Sequence, residues 1–305
     1  MNITNKIYIP PIKCQGIKTK VAPLILANIS LREDSVWFEP FMGSGVVGFN
    51  ARPNKALFSD INPHLINFYN AIKSSEITPA IAREFLEEQG ASLRKKGDEY
   101  YYFVRKRFNS EKSPLDFLFL SRACFNGMIR FNRAGNFNVP FCKKPERFSK
   151  AYITKIANQI EYVWQAVRHH DWRFKTIPFW DAIPLAKEND IIYCDPPYLG
   201  RYTDYFDTWS EEDEHRLFKY LSQTKAKFIL STWLKNKYRQ NKMISTLWKN
   251  YYIITKEHFY HVGAKETNRN SMTEALVMNF VPLTPVIFKR QSAQQTLAHI
   301  HSATK

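Results

Sequence analysis

Hydrophobic and polar positions along the chain alternate between short apolar runs and stretches with helical spacing. The apolar runs predict strands at 35–40, 55–60, 175–180, 190–198, 227–232, 251–260 and 274–281. Small residues after the first run predict a helix that begins near Gly43, and further helices are expected to begin at Pro63 and after an N-cap at Ser210. Strands that alternate with helices predict an α/β protein with a doubly wound sheet.

The stretch between the second and third predicted strands interrupts this alternation. It has mainly helical spacing over roughly 100 residues, whereas the helix of a βαβ crossover needs only a few tens. We therefore predict a discontinuous catalytic domain at 1–73 and 175–288, an inserted domain at 74–174, and a polar tail at 289–305.

The charge of the chain is concentrated in that insertion. The 305 residues carry 44 Lys and Arg against 28 Asp and Glu, a net charge of +16. Between Ala91 and Trp180 there are 18 basic and 7 acidic residues, a surplus of 18 − 7 = +11, which predicts a polyanionic partner for this part of the chain. The four cysteines show no CxxC spacing, and the chain has no run of 18 apolar residues. We expect a cytoplasmic protein without a metal site or a membrane contact.

Glycines and an acid mark the ends of the first two predicted strands. Gly43, Gly45 and Gly48 lie within six positions after the first strand, where a glycine turn lets the backbone approach a ligand closely. A tight turn without a ligand is the alternative. Asp60 ends the second strand, where such folds place an acceptor for ribose hydroxyls, although it would also serve to cap the helix at Pro63. Together these residues predict an adenosine-containing cofactor.

The tetrapeptide Asp195-Pro196-Pro197-Tyr198 follows the fourth predicted strand, at the edge of the sheet where ligands bind. An exocyclic adenine amine is a poor nucleophile because its lone pair is delocalised into the ring. Two acceptors on its hydrogens draw the nitrogen towards an attacking geometry. The rigid prolines hold the Asp195 carboxylate and the Pro196 carbonyl as those acceptors, and Tyr198 is expected to stack on the base.

The segments EPFMGSG, SDIN and CDPPY, in this order, resemble the DNA adenine-N6 methyltransferases of the Dam-like D12 class, the alpha group. Residues 125–145 are similar to the DNA-reading β-hairpin of that family. The stretch PPIKCQGIKTKVAPLI resembles its first motif, with Cys14 at the usual tryptophan and Ile17 at the second glycine. The resemblance runs from about residue 10 to residue 281. It implies a Rossmann-like AdoMet-dependent methyltransferase sheet with an inserted, mainly helical DNA-recognition domain that bears a β-hairpin.

The resemblance also implies roles for single residues. Lys18 is expected beside the methionine moiety of S-adenosyl-methionine, Asp60 at its ribose hydroxyls and Asp181 at its adenine amine. The full set of expected cofactor contacts is Lys18, Glu39, Phe41, Gly43, Gly45, Asp60 and Asp181. The expected catalytic pocket consists of Asp195, Pro196, Pro197 and Tyr198.

The hairpin residues predict contacts with double-stranded DNA, because a two-stranded ribbon fits the major groove. The expected contacts are Arg130, Phe131, Asn132, Arg133, Asn136, Pro140, Lys143 and Lys144, with Arg147 beside them. Arginines can read guanine edges, whereas lysines hold phosphates. Two interpretations of Phe131 remain open, insertion into the base stack and packing within the hairpin. Residues 105–107 are either a solvated helix face or a contact to the DNA backbone.

The function predicted on these grounds is site-specific methylation of adenine N6 in double-stranded DNA, on a flipped base, within a restriction-modification system or by a solitary or phage-borne enzyme. A GA-containing target is expected from the resemblance, as is a monomer or weak dimer without stable contact to a restriction endonuclease. The alternatives are RNA adenine-N6 or cytosine-N4 methylation, and a catalytically dead DNA-binding protein. Weaker candidates are His258 and His261 as a poor metal site, Arg269 and Asn270 near DNA, and a loop over the cleft with Tyr202, Tyr205, Phe206 and Trp209.

Overall fold

A computed structural model describes residues 6–14, 16–199, 209–236, 239–259 and 271–284. Its centre is a seven-stranded sheet in the order β3-β2-β1-β4-β5-β7-β6. The strands are β1 (Val36–Glu39), β2 (Lys55–Asp60), β3 (Asp171–Thr176), β4 (Ile191–Cys194), β5 (Lys227–Asn236), β6 (Tyr252–Phe259) and β7 (Ser271–Met278). β7 runs antiparallel to both of its neighbours, and the strands from β3 to β5 are parallel. The predicted doubly wound sheet is confirmed.

The helices lie between the strands and in the predicted insertion. They are α1 (Ala22–Leu26), α2 (Val46–Ala51), α3 (Pro63–Lys73), α4 (Pro79–Lys96), α5 (Asp98–Glu111), α6 (Pro114–Ala123), α7 (Lys150–His169), α8 (Phe179–Ala182), α9 (Glu211–Gln223) and α10 (Lys242–Thr246). The prediction that α2 begins near Gly43 was three residues early, because Gly43 and Gly45 both have positive φ, which a helix excludes. Ser210 caps α9 in a reciprocal pair with Asp213, as predicted. No helix within the described ranges is long and apolar enough to cross a membrane.

Apolar side chains cover both faces of the sheet. Neighbouring residues of β1 point to opposite faces, so Trp37 joins one apolar cluster and Phe38 joins the other. The cluster around Trp37 continues into the insertion, where it includes Phe108 and Phe119. The helices α4 to α7 therefore share one continuous core with the sheet, and this core fixes the insertion beside the ends of the strands.

The segment 124–142 follows an antiparallel course, but its regular pairing is sparse. Isolated bridges join Cys124 to Phe141 and Phe131 to Phe137. Asn126 has a φ of 53° and Pro140 has no N–H to donate, and both features interrupt a strand ladder. The segment is therefore a loop with hairpin topology rather than the regular two-stranded ribbon that the sequence predicted.

Candidate active site

A cavity opens beside the carboxyl ends of β1, β2 and β4, where open α/β sheets bind ligands. Residues from these strand ends and from the N-terminal segment line it. Of the residues that the sequence singled out, the lining includes Lys18, Glu39, Phe41, Gly43, Asp60, Asp195 and Pro197. Ile129, from the loop at 124–142 (the inserted segment), also lines this cavity. Residues more than 170 positions apart in the chain thus meet in one pocket.

The glycine turn between β1 and α2 is held by a carboxylate. Gly43 and Gly45 have φ angles of 48° and 73°, a region that favours glycine. The Gly43 amide donates to Asp60 Oδ2 at 2.9 Å, and the Asn62 amide donates to Asp60 Oδ1 at 2.9 Å. Burial raises the pKa of Asp60, although these backbone amides oppose the rise. Asn62, not Asp60, caps α3, so the capping interpretation of Asp60 was wrong.

Glu39 is a buried carboxylate at the end of β1. Its Oε2 accepts hydrogen bonds from Trp37 Nε1 at 2.8 Å and from the Gly48 amide at 2.9 Å. Burial raises the pKa of Glu39 to about 8. A Cβ at position 48 would lie 2.4 Å from this oxygen and 2.3 Å from the Phe58 ring, so only glycine admits the approach. The third glycine of the cluster therefore makes room for Glu39.

An aromatic wall faces these acids across the cavity. The rings of Phe41 and Phe179 stack with centroids 5.3 Å apart, and Trp209 meets Phe41 edge-on at 5.5 Å. The cavity wall as described includes Phe179 and Trp180 but not Asp181, which is exposed on the first turn of α8. The expected contact of Asp181 with the cofactor is therefore not part of this wall. Trp209 packs against both Phe41 and Phe179.

Four side chains meet where Lys18 and Asp195 line the cavity, and this group is called the catalytic corner after the role expected of Asp195. They are Lys18, Asp195, Tyr198 and Glu274. Lys18 Nζ lies 3.0 Å from Asp195 Oδ1 and 3.9 Å from Glu274 Oε1. The Tyr198 hydroxyl donates to Glu274 Oε1 at 3.0 Å, and Lys18 Nζ lies 4.9 Å from the centre of the Tyr198 ring. Lys18 is therefore the counter-ion of the DPPY carboxylate in this structure, in addition to lining the cavity.

The charge state of Asp195 follows from these neighbours. Its side chain retains 21% of its surface exposed, on the cavity side. Burial of the rest raises the pKa of Asp195 to about 6, Lys18 opposes the rise, and Glu274 adds to it. The carboxylate is thus mostly ionised at pH 7 and becomes protonated in mild acid.

Five of the eight residues expected to contact DNA are exposed. They are Asn132, Arg133, Pro140, Lys143 and Lys144. Asn132 also has a structural role, because its Oδ1 accepts from the amides of Ala134 and Asn136 at 3.0 Å and shapes the turn. Arg130 is half-buried and donates to Asn138 Oδ1 at 2.8 Å.

Phe131 packs inward in this structure. Its ring stacks on His64 at the start of α3, with centroids 4.9 Å apart, and meets Phe137 edge-on at 5.6 Å. This is the hairpin packing that the sequence allowed as one of two interpretations. Insertion into DNA would require the ring to leave His64.

Several other arginines of the insertion hold its fold. Arg107 donates to both oxygens of Asp116, at 2.8 and 2.5 Å. Arg147 donates through Nε to the Arg122 carbonyl at 2.9 Å, and Arg105 donates to the Val139 carbonyl at 3.3 Å. For Arg107, a solvated helix face was therefore the wrong interpretation.

Comparison with known proteins decides the family. A model of the D12 class N6 adenine-specific DNA methyltransferases matches residues 15–262. The chain belongs to this family. The match spans the glycine turn, the insertion and the DPPY segment, and it ends before β7, which carries Glu274.

Three named methyltransferases resemble the chain over different lengths. The Type II methyltransferase M1.LlaDCHI of Lactococcus lactis subsp. cremoris is 28% identical over 90% of this chain and 97% of its own. The Type II methyltransferase M.FokI of Planomicrobium okeanokoites is 29% identical over 92% of this chain, which spans 44% of that protein. The DNA adenine methylase of Serratia marcescens is 33% identical over 52% of this chain and 56% of its own. Against the last two relatives, the chain therefore matches about half of the protein.

One solved structure, the rRNA methyltransferase aviRa from Streptomyces viridochromogenes, aligns with 84% of this chain and 81% of its own. Its sequence identity is 12% and the TM-score is 0.34. A likeness this low carries no argument about substrate, and the assignment to the D12 class rests on the family model.

Sequence reasoning missed Glu274, which joins the corner from β7. The available signal is a single charged residue in β7, whose described side chains, residues 273–278, are all buried; Glu274 is 1% exposed. Other predicted residues lie outside the described part of the chain: Tyr202, Tyr205, Phe206, His261, Arg269, Asn270 and the tail at 289–305. Within the described ranges, no group of three His, Cys, Asp or Glu side chains is placed to hold a metal ion.

Proposed function

We propose that this chain transfers a methyl group from S-adenosyl-methionine to the N6 amine of an adenine that is flipped out of double-stranded DNA. The observation that carries the proposal is the Asp195 carboxylate of DPPY, which borders the same cavity as the glycine turn and Asp60. A methyl donor and an amine acceptor need to meet at such a border. The family description, which names N6 of adenine in DNA, supports the same reaction.

The residues of the cavity fit S-adenosyl-methionine. When bound, this cofactor supplies a methyl group that its positive sulfonium makes electrophilic. Asp60 would accept from the ribose hydroxyls, because each of its oxygens can take a second hydrogen bond beside the backbone amide it already holds. The aromatic wall suits both a purine ring and a cation. Contacts of Lys18 with the methionine moiety and of Asp181 with the adenine amine belong to the same proposal.

Asp195 and the Pro196 carbonyl would orient the target amine. A carboxylate that accepts one amine hydrogen and a carbonyl that accepts the other draw the nitrogen lone pair out of the ring. Because Asp195 is largely enclosed, these acceptors act away from bulk water, where their electrostatic effect is stronger. Tyr198, fixed by its bond to Glu274, would border the base.

The inserted segment would bind the duplex. Arg133, Lys143 and Lys144 are exposed cations on a loop whose Ile129 lines the cavity, so the DNA-facing surface and the pocket are adjacent. A base that leaves the stack next to this loop would have a short path to Asp195. We further propose that the protein acts as a monomer or weak dimer, in the cytoplasm, as a modification or solitary methylase with a GA-containing target.

The reaction is tested by incubation of the protein with labelled S-adenosyl-methionine and separate pools of duplex DNA and RNA. We expect label in DNA alone, as N6-methyladenine, and mapping of the modified positions then gives the target sequence. Label in RNA or on cytosine N4 would support those alternatives instead, and an absence of label would indicate a DNA-binding protein without activity.

Asp195→Ala tests the residue on which the chemistry depends. We expect the rate of methyl transfer to fall by about 10³-fold, because the amine loses one of its two hydrogen-bond acceptors. Calorimetry should still show binding of S-adenosyl-methionine. Asp171→Ala, an exposed acid at the start of β3, is the matched control and should retain activity. Substantial activity in the Asp195 variant would contradict the proposed mechanism.

A further inference from the structure

Asp213, on the first turn of α9, is an acid of the cavity that the sequence did not single out. It is half-buried and lines the cavity together with Phe179, Trp180 and Trp209 of the aromatic wall. One turn further along α9, the guanidinium carbon of Arg216 lies over the Trp180 ring, 5.1 Å from its centre. Residues three positions apart share one face of a helix. Asp213 therefore lies on the side of α9 that faces the aromatic wall.

The Asp213 side chain is fixed through one of its two oxygens. Its Oδ2 accepts from the Ser210 amide at 3.0 Å and from the Ser210 hydroxyl at 2.7 Å, within the reciprocal cap of α9. The next residue, Glu214, is 4% exposed and accepts from Trp209 Nε1 at 2.8 Å, which ties the start of α9 to the wall. Asp213 Oδ1 accepts no hydrogen bond from the described part of the chain. The carboxylate is thus held in place with one oxygen left for a donor in the cavity.

The purine of the proposed cofactor carries a donor of this kind. Its exocyclic amine has two hydrogens, and a carboxylate oxygen has only lone pairs to offer them. A carboxylate in this position would also repel a purine with a carbonyl oxygen in place of the amine, so it would select between the two. Asp181, which the family resemblance places at this amine, is exposed on α8 and does not line the cavity.

We propose that Asp213 accepts a hydrogen bond from the adenine amine of the cofactor and makes the cavity selective for S-adenosyl over S-inosyl ligands. The inference rests on the proposed function, because it requires the purine of S-adenosyl-methionine to lie against the aromatic wall. Asp213 is a specificity-determining residue here. It acts on cofactor affinity and takes no part in the transfer of the methyl group.

Calorimetry of the wild type with S-adenosyl-homocysteine and S-inosyl-homocysteine is the first test. The two ligands differ at position 6 of the purine, which carries an amine in the first and a carbonyl oxygen in the second. Neither has the sulfonium charge, so general attraction of a cation does not contribute. We expect the adenosyl ligand to bind about tenfold more tightly, the effect of one charge-assisted hydrogen bond. Similar affinities would overturn the proposal whatever the variants show.

Asp213→Asn exchanges an acceptor for a donor and keeps the cap. The asparagine oxygen can still accept from Ser210, and the amide NH₂ then takes the place of Oδ1. We expect affinity for the adenosyl ligand to fall about tenfold and affinity for the inosyl ligand to rise about threefold. A structural defect would weaken both ligands alike, so equal losses, or no change in either affinity, would overturn the proposal.

Glu211→Gln is the matched control for loss of charge. Glu211 is an exposed acid of the same helical turn and does not line the cavity. Its ratio of adenosyl to inosyl affinity should equal that of the wild type. Asp181→Asn is measured beside it, and a reversed preference there with none in Asp213→Asn would assign the selectivity to Asp181 and overturn the proposal.

Failure of the proposed function has a different outcome. A wild type that binds no S-adenosyl-homocysteine and forms no N6-methyladenine would overturn the proposed function and this inference together. A wild type that binds the ligand and methylates DNA, but does not discriminate against the inosyl ligand, would overturn the role of Asp213 alone.

Discussion

The catalytic corner and the insertion at 74–174 use charge in different ways. In the corner, Lys18 and Glu274 are buried and face each other across a few ångströms. In the insertion, neighbouring cations separate into two groups: Arg107 is engaged with buried Asp116, whereas Lys106 beside it is exposed. The surplus of +11 between residues 91 and 180 is therefore only partly available to a polyanion, because some of these cations hold the fold.

This difference determines what each region responds to. Buried carboxylates have pKa values that their surroundings shift, so the corner should respond to pH and little to salt. Exposed cations such as Lys144 retain ordinary hydration and are screened by ions. The insertion should accordingly respond to salt, as phosphate contacts do.

The largest expected effect tests whether the paired and the exposed cations of the insertion contribute differently to stability. Arg107→Ala leaves Asp116 buried at 1% exposure without its bidentate partner. We expect the free energy of unfolding to fall by about 3 kcal/mol, the cost of breaking a buried ion pair from one side. Urea unfolding followed by circular dichroism measures it.

Lys106→Ala is the control in the next position of the same helix. Its side chain is exposed, so the free energy of unfolding should stay within about 0.5 kcal/mol of the wild type. Similar losses in the two variants would remove the distinction between structural and surface cations within the insertion.

The second largest expected effect is the pH dependence of kcat/KM, which tests the catalytic corner. In the proposed mechanism the ionised form of Asp195 is the acceptor that activates the amine, and its pKa is raised to about 6. At pH 7 about 91% of it is ionised and at pH 5 about 9%, so kcat/KM should fall about tenfold between these values. Initial rates at subsaturating DNA and constant ionic strength measure the change. A flat profile would mean that Asp195 is not the titrating acceptor.

Unfolding of the protein at pH 5 would also lower the rate, but the raised pKa values of two buried carboxyl groups argue against unfolding. The folded pKa values of Asp195 and Glu39, about 6 and about 8, lie above those of ordinary carboxyls. A raised folded pKa means that protonation favours the folded state, so their contribution to stability is present at low pH and is lost as pH rises through those values. Thermal unfolding at pH 5 and pH 7 checks that the protein remains folded where the rate has fallen.

The sequence predicted those parts of the site that a short stretch of chain determines. The glycine turn and the DPPY acid follow strands, Asp60 ends one, and the parallel sheet brings these strand ends together. Asp195 follows β4, whereas Glu274 lies two strands away on β7, and their meeting through Lys18 depends on strand order and on the N-terminal segment. No local pattern contains that contact.

The hairpin shows a second limit of prediction from the sequence. Its turn was predictable, because Gly135 has a φ of 71° beside residues that favour turns. Its sparse pairing was not, since Phe131 packs on His64, a residue 67 positions earlier in the chain. Tertiary packing of that kind overrides the alternation from which a strand is predicted.

The smallest expected effect compares two exposed cations of the inserted segment. Lys144→Ala should weaken binding to every duplex alike and reduce the slope of log affinity against log salt by about 0.9, the value for one lost phosphate contact. Arg133→Ala should instead change the relative affinities for target and altered duplexes, because an arginine at the turn can read a base edge. Fluorescence anisotropy over a salt series measures both quantities. If Arg133→Ala lowers affinity equally on all sequences, the turn positions DNA without reading it, and sequence discrimination has to come from residues nearer the cavity, where Ile129 enters its wall.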